Sequence, residues 1–116
     1  MKIAMVDDDA SQRAALRSAV RSYAEGAHIP VEVAEFETGA QLMEHASGAE
    51  FDVIFLDVYI GEENGMELAR ALRQHGNTSL LVFITVSAQH AVESYEVDAF
   101  YYLVKPLEKS ALFRVL

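Results

Sequence analysis

The sequence predicts an α/β domain in which one parallel sheet is covered by helices on both faces. Short apolar runs alternate with longer amphipathic segments, which gives five strand–helix units in 116 residues. Within the third apolar run, Phe51–Val58, residues 53–56 have no polar alternation, so we expect the run to be a central strand buried on both faces. The length is that of one domain.

Composition excludes several kinds of site. The chain contains no cysteine, so it has no disulfide, thiolate metal site or cysteine nucleophile. The net charge of −9 argues against a nucleic-acid-binding surface and is compatible with binding a divalent cation. The first acid comes after six residues and no apolar run approaches roughly 18, so we predict no signal peptide, no membrane contact and a cytoplasmic location.

Each element has a local signal. Runs rich in β-branched and aromatic residues predict five strands: Lys2–Val6, Val31–Phe36, Phe51–Val58, Leu80–Ile84 and Phe100–Val104. Capping residues with Gln or Glu three positions later predict three helix starts: Asp9, Thr38 and Asn64. Glycines predict the ends of these helices: Gly26, a position near Gly48, and Gly76. Two further helices, a weaker one at Ser87–Glu96 and a last one at Glu108–Leu116, complete the pattern.

Polar residues that suit a binding site lie at the carboxyl ends of four of the predicted strands: Asp7, Asp8, Asp57, Thr85 and Lys105. The carboxyl ends of parallel strands meet at one edge of a sheet, where open α/β sheets bind their ligands. With strand order 2-1-3-4-5, the third strand lies between the first and the fourth. We therefore expect these residues to surround one site.

The chemistry of this set suits a phosphoryl group. Three neighbouring carboxylates repel each other unless a cation lies among them, and hard oxygen ligands favour Mg²⁺. Carboxylate nucleophiles form acyl-phosphates, while a metal ion and a lysine stabilise charge on the transferring oxygens. Simpler interpretations stay open: Asp57 ends a strand, Asp7 and Asp8 cap a helix, Thr85 is a helix-entry hydroxyl, and Lys105 is solvated. The histidines lack metal-ligand spacing and are predicted to be surface residues: His28, His45, His75 and His90.

Over its whole length the chain resembles the receiver domain of bacterial two-component response regulators. The resemblance is carried by VDDD from Val6, FLDV from Phe55, Gly65, IT from Ile84 and YLVKP from Tyr102. Each motif is weak alone, but together, in this order and spacing, they are specific. The resemblance implies a flavodoxin-like (βα)5 fold with sheet order 2-1-3-4-5, spanning residues 1–116.

The resemblance also implies roles for individual residues. Asp57 would accept the phosphoryl group, and Lys105 would pair with it. Mg²⁺ would be held by carboxylates and one main-chain carbonyl: Asp7, Asp8, Asp57 and the carbonyl of Tyr59. Thr85 would move toward the phosphoryl group, Tyr102 would swing inward as an aromatic switch, and the Lys105–Pro106 peptide bond would be cis.

Two positions depart from the family pattern. Gly61 stands where Pro is frequent, so we expect a more flexible loop after Asp57. Val86 stands where a small residue is usual, and we expect it to narrow access to the phosphoryl group and slow attack on it. Tyr59 and Ser87 resemble the variable positions that tune loss of phosphate.

The expected function is a phosphorylation-driven switch that accepts phosphate from a histidine kinase, with no other enzymatic activity. The stretch Thr85–Leu107 resembles receivers of the LytTR class, which implies a DNA-binding output domain beyond this segment. The chain stops on FRVL without a polar tail, which also predicts a longer protein. Activation would engage the output domain or a second receiver through the Ser87–Glu96 helix and the fifth strand.

Two other functions stay open at this point. Asp7 and Asp9 have the D-x-D spacing of haloacid-dehalogenase phosphatases, although Ser11 and the lack of a later acidic pair do not fit. A degenerate receiver that binds proteins without phosphate is the other alternative. Substituting Asp57 or Asp7 separates these functions, because a receiver is labelled on Asp57 and the phosphatase on Asp7.

Overall fold

The main sheet of the computed structural model, which describes residues 1–46 and 51–116, is parallel throughout. The described strands are β1 (Lys2–Val6), β2 (Glu32–Phe36), β3 (Val53–Leu56), β4 (Tyr59–Ile60), β5 (Glu63–Asn64), β6 (Leu80–Thr85) and β7 (Tyr101–Val104). Five of them form the main sheet in the order β2-β1-β3-β6-β7, and β4 pairs with β5 as a short antiparallel hairpin. Counted along the main sheet alone, this is the predicted order 2-1-3-4-5; the hairpin, which was not predicted, shifts the labels.

The described helices are α1 (Ala10–Ala27), α2 (Gly39–Ala46), α3 (Gly65–Gln74), α4 (Ala91–Ser94) and α5 (Lys109–Val115). The prediction of one helix over Ser87–Glu96 is wrong, because α4 is a single turn between two 3₁₀ turns at Ala88–His90 and Tyr95–Val97. Val92 and Tyr95 are 79% and 80% exposed, so this segment buries too little apolar surface to stabilise a continuous helix.

All three predicted helix starts have the expected caps. At the start of α2, Thr38 Oγ1 accepts a hydrogen bond from the main-chain N–H of Gln41 at 3.1 Å. The Asp9 carboxylate accepts hydrogen bonds from the main-chain N–H groups of Ser11 and Gln12, and the Asn64 side chain caps α3 in the same way. The predicted end at Gly26 is wrong, because α1 continues to Ala27. The left-handed residue that ends the helix is His28, with φ of 56°. The predicted end near Gly48 lies outside the described residues.

The sheet separates two apolar layers, as alternation along β3 shows. Ile54 and Leu56 face the layer that holds Leu42 of α2 and the buried side of α3. Val53 and Phe55 face the layer that holds residues of α1 and α5. Helices therefore cover both faces of β3, as its unbroken apolar run predicted.

Arg73 at the end of α3 joins this helix to the segment before β7. Its guanidinium donates to four main-chain carbonyls: Asn77, Ser79, Val97 and Asp98. Burial lowers the pKa of Arg73. Among the described residues, no helix is both long and apolar enough to cross a membrane.

Candidate functional site

Asp57 lies where β3 ends, and the backbone packs closely around it. The residue is only 7% exposed, and its main-chain N–H donates to the Val6 carbonyl at 3.2 Å. Gly65 lies directly behind it: a Cβ on Gly65 would come within 2.1 Å of the Asp57 carbonyl oxygen. Glycine is therefore required at residue 65 for the hairpin to return against Asp57.

Lys105 joins two of the predicted acids. Its Nζ lies 2.8 Å from Asp57 Oδ2 and 2.9 Å from Asp7 Oδ2, and its main-chain N–H donates to the Thr85 carbonyl at 2.7 Å. Burial lowers the pKa of Lys105, but hydrogen bonds to Asp57 and Asp7, with their charges, outweigh burial and raise that pKa above its ordinary value. The Lys105–Pro106 peptide bond is cis, as expected.

The predicted convergence of three carboxylates is not found. No group of three acidic, histidine or cysteine side chains in residues 1–46 and 51–116 is arranged to hold a metal ion. Asp7 and Asp57 share the Lys105 ammonium, whereas Asp8 is exposed. One lysine charge only partly balances two carboxylates, so the third is more stable in solvent.

The donor chemistry nevertheless fits Mg²⁺. Asp7 and Asp57 already hold a cation between them in the form of the Lys105 ammonium. Asp8 Oδ2 lies 3.9 Å from the place where a Cβ on Gly61 would stand, so it borders the hairpin that follows Asp57. The hard oxygens at this edge of the sheet are the ligands that Mg²⁺ prefers. The main-chain N–H of Tyr59 donates to Asp57 Oδ1 at 3.0 Å, and a metal-binding role for the Tyr59 carbonyl stays a prediction.

The two residues predicted to act as a switch, Thr85 and Tyr102, lie on neighbouring strands. Thr85 is fully buried, and its Oγ1 has no hydrogen-bond partner among the described residues. Tyr102 is half-buried against Phe83, and its hydroxyl donates to the carbonyl of Ser87. Burial raises the pKa of Tyr102. Val86 is 67% exposed, and its effect on access to Asp57 stays a prediction.

His90 belongs to a network that the sequence did not predict. Its Nε2 lies 3.0 Å from the Tyr59 hydroxyl and its Nδ1 lies 2.8 Å from Glu93 Oε1. The hydrogen bond with His90 lowers the pKa of Glu93, and Arg70 donates to that carboxylate from α3. The prediction that His90 is merely a surface residue is therefore wrong: its side chain is only 18% exposed. Tyr59 and His90 are 31 residues apart, and no local pattern links them.

The hairpin after Asp57 is held from both sides. Gly61 occupies its turn with φ of 59°, and Glu63 accepts a hydrogen bond from the N–H of Gly39, the first residue of α2, at 2.8 Å. On the other side, Tyr59 contacts His90. Whether Gly61 makes this loop more flexible, as we expected, stays a prediction.

Asp9 is engaged away from the acid pair. Its Oδ1 accepts hydrogen bonds from the Ser11 hydroxyl and from two main-chain N–H groups, and these lower its pKa. A D-x-D phosphatase needs its second acid free to donate a proton, so this cap weighs against the phosphatase alternative.

Comparison with known proteins gives one consistent family. A family model for the response regulator receiver domain matches residues 3–116. Protein MrkE of Klebsiella pneumoniae is 32% identical over all of this chain and 42% of its own length. The sensory transduction protein LytT of Enterococcus faecalis is 32% identical over all of this chain and 46% of its length. The chain thus spans about half the length of these curated relatives.

A solved structure gives the same result. The crystal structure of the response regulatory domain of protein mrkE from Klebsiella pneumoniae superposes with a TM-score of 0.86 at 29% identity. The match covers 99% of this chain and 91% of that one. The relatives named LytT also agree with the resemblance to the LytTR class.

Proposed function

Because the chain belongs to the response regulator receiver domain family, we propose that it is a phosphorylation-dependent switch with Asp57 as its phosphoacceptor. The observation that carries this proposal is the Lys105 ammonium within 2.9 Å of both Asp57 and Asp7 at the carboxyl edge of the sheet. A buried lysine beside a nucleophilic carboxylate is placed to neutralise a transferring phosphoryl group.

In the proposed reaction the Asp57 carboxylate attacks the phosphorus of a phosphohistidine on a partner kinase. The new O–P bond forms as the P–N bond breaks, and the electron pair stays on the imidazole, which takes up a proton. Bound Mg²⁺, held by Asp7, Asp8 and Asp57, would stabilise negative charge on the phosphoryl oxygens. The chain would catalyse only its own phosphorylation and dephosphorylation.

The signal would leave the site through Thr85 and Tyr102. Thr85 has a buried hydroxyl without a partner in the described part of the chain, and this hydroxyl could donate to a phosphoryl oxygen. Thr85 also lies beside the segment that Tyr102 contacts through Ser87. A phosphoryl group adds about −1.5 to −2 charge, and tighter contacts to it would favour a second arrangement of residues 86–97. The exposed face formed by this segment and β7 would then bind a second receiver or an output domain.

The output would be transcriptional regulation. The names of two relatives support this: the sensory transduction protein LytT and the transcriptional regulatory protein YpdB of Escherichia coli K12. The chain matches only 46% of the length of each, so more than half of each protein lies outside the match. DNA binding would belong to the remaining part of such a protein. The acidic segment described here would contact protein partners.

The test is the intact mass of the chain after incubation with acetyl phosphate and Mg²⁺. We expect a gain of one phosphoryl group that disappears with chelator and in Asp57→Asn. Asp52→Asn is the matched control, because Asp52 lies just before the amino end of β3 and accepts a hydrogen bond from the main-chain N–H of Lys2. Labelling that survives in Asp57→Asn and is lost in Asp7→Ala would support the phosphatase instead, and absence of labelling would favour a phosphate-independent interaction module.

A further inference from the structure

Arg13 is a buried cation whose position the proposed reaction does not yet explain. It lies on the first full turn of α1, and its side chain is only 10% exposed. Burying a guanidinium costs free energy unless its N–H groups find acceptors. The acceptors that the Arg13 guanidinium contacts therefore indicate the role of this residue.

The best-formed contact of Arg13 is to the main chain of Asp7. Its Nη1 donates to the Asp7 carbonyl oxygen. The two acids of the β2 edge are farther away: Glu35 Oε1 lies 3.4 Å from Nε, and Glu37 Oε1 lies 3.9 Å from Nη2. Nε itself has no hydrogen-bond partner among the described residues.

The carbonyl that Arg13 contacts belongs to the peptide group between Asp7 and Asp8. A peptide group is planar, so fixing its oxygen also fixes the direction in which Asp8 leaves the strand. The Asp7 side chain is fixed as well, because Oδ1 accepts from the Asp9 N–H at 3.0 Å and Oδ2 from Lys105 at 2.9 Å. Arg13 thus holds the peptide link between the two acids, which these two bonds to the Asp7 side chain do not reach.

We propose that Arg13 is a positioning residue for the acid pair: by anchoring the Asp7–Asp8 peptide it sets the arrangement of carboxylates that receives Mg²⁺. The inference rests on the proposed function. In this role Arg13 would contact neither the metal nor the phosphoryl group and would act through the Asp7 main chain. Groups that orient metal ligands in this way typically change metal affinity by about 10–100-fold when they are replaced.

Arg17 provides a matched control within the same helix. It lies one turn after Arg13 and pairs with the same carboxylate, Glu35, but it has no hydrogen bond to Asp7 in the described residues. Arg17→Lys therefore changes the same kind of side chain beside the same β2 acid. It does not disturb the peptide between Asp7 and Asp8.

The experiment is calorimetric titration of the unphosphorylated chain with Mg²⁺. Arg13→Lys keeps the positive charge but loses the planar guanidinium whose Nη1 reaches the Asp7 carbonyl. We therefore expect the Mg²⁺ dissociation constant of this variant to rise about tenfold. For Arg17→Lys we expect a change of less than about twofold. Equal shifts in the two variants, or no shift in Arg13→Lys, would overturn the proposal. Thermal unfolding with chelator, run in parallel, separates lost metal affinity from lost stability.

A measurement on the unsubstituted chain covers the case in which Arg13→Lys does not fold. In nitrogen-15 NMR spectra, the Nε–Hε signal of Arg13 should move as Mg²⁺ fills the site, while that of Arg17 should stay. If the Arg13 and Arg17 signals both move to the same extent, or if neither moves, Arg13 does not have the positioning role. If the unsubstituted chain neither binds Mg²⁺ nor gains a phosphoryl group, the proposed function itself fails; if it does both and only the Arg13 results are negative, only this inference fails.

Discussion

The Lys105 ammonium lies 2.8 Å from the Asp57 carboxylate although 48 residues separate them in the sequence. The same ammonium lies 2.9 Å from Asp7, so one positive charge holds together the ends of three strands: β1, β3 and β7. A divalent cation that binds here competes with this lysine for the same carboxylates. Changing the competition between Mg²⁺ and the Lys105 ammonium for these carboxylates therefore tests the site directly.

Replacing Lys105 with Met should strengthen Mg²⁺ binding and weaken the metal-free fold. Without the ammonium the two carboxylates repel each other, so we expect the Mg²⁺ dissociation constant to fall on the order of tenfold. The metal-free free energy of unfolding should fall by about 1–3 kcal/mol, since one partner of a mostly buried ion pair is lost. Calorimetry and urea unfolding with chelator measure the two effects. Lys109→Met, at the exposed start of α5, is the control and should change neither quantity.

The same lysine should make stability depend on pH in the alkaline range. Its pKa is raised on folding, so its contribution is fully present below the unfolded value of about 10.4 and is lost as pH rises through the higher folded value. Above about pH 10 the unfolding free energy should therefore fall more steeply for the unsubstituted chain than for Lys105→Met. Urea unfolding of both proteins across this range measures the difference. Parallel curves would show that the lysine and the acids are not coupled in solution.

Gly65→Ala should distort the region around Asp57. The added Cβ would meet the Asp57 carbonyl at 2.1 Å, and backbone cannot yield as a flexible side chain does. We expect a loss of about 2–4 kcal/mol in unfolding free energy, together with slower phosphorylation. Gly26→Ala is the control: it lies within α1 with no atom within 4 Å of the new Cβ, and it should stabilise the chain by up to about 1 kcal/mol. A neutral Gly65→Ala would show that the hairpin can move away from Asp57.

Thr85→Val should separate stability from signalling. Valine keeps the shape of threonine and removes a buried hydroxyl that has no partner in the described residues, so the unfolding free energy should stay the same or rise by up to about 1 kcal/mol. Asp57 should still be labelled by acetyl phosphate. The change that labelling causes in the NMR signals of the Tyr102 ring should be lost. Loss of more than about 2 kcal/mol would instead show that the hydroxyl has a hydrogen bond in solution.

Much of the fold could be predicted because its signals are local. The unbroken apolar run at residues 53–56, the Asp9 and Asn64 caps and the strand-end position of Asp57 each follow from a few neighbouring residues. Once the strands were ordered, the sheet geometry placed Lys105 beside Asp57. The resemblance to receiver domains, now confirmed, supplied roles that geometry alone left open.

Features that depend on distant side chains could not be predicted. The Tyr59–His90 contact and the hydrogen bond from Arg13 to the Asp7 carbonyl arise from packing, and neither has a sequence spacing that marks it. The prediction of one helix over residues 87–96 was wrong for a related reason, since the apolar side chains of Val92 and Tyr95 stay largely exposed. Periodicity indicates which face could be buried, but only the tertiary structure decides whether it is.

The segment from Ser87 to Val97 is fixed at its two ends. The Tyr102 hydroxyl binds the Ser87 carbonyl and the Arg73 guanidinium binds the Val97 carbonyl, while the middle of the segment forms only single turns. Amide protons in such a segment exchange with solvent through brief local openings, which cost far less than global unfolding. For the amide protons of β3, which is buried on both faces, we expect exchange only when the whole domain opens. The region that would change on phosphorylation is thus also one that we expect to open at low free-energy cost.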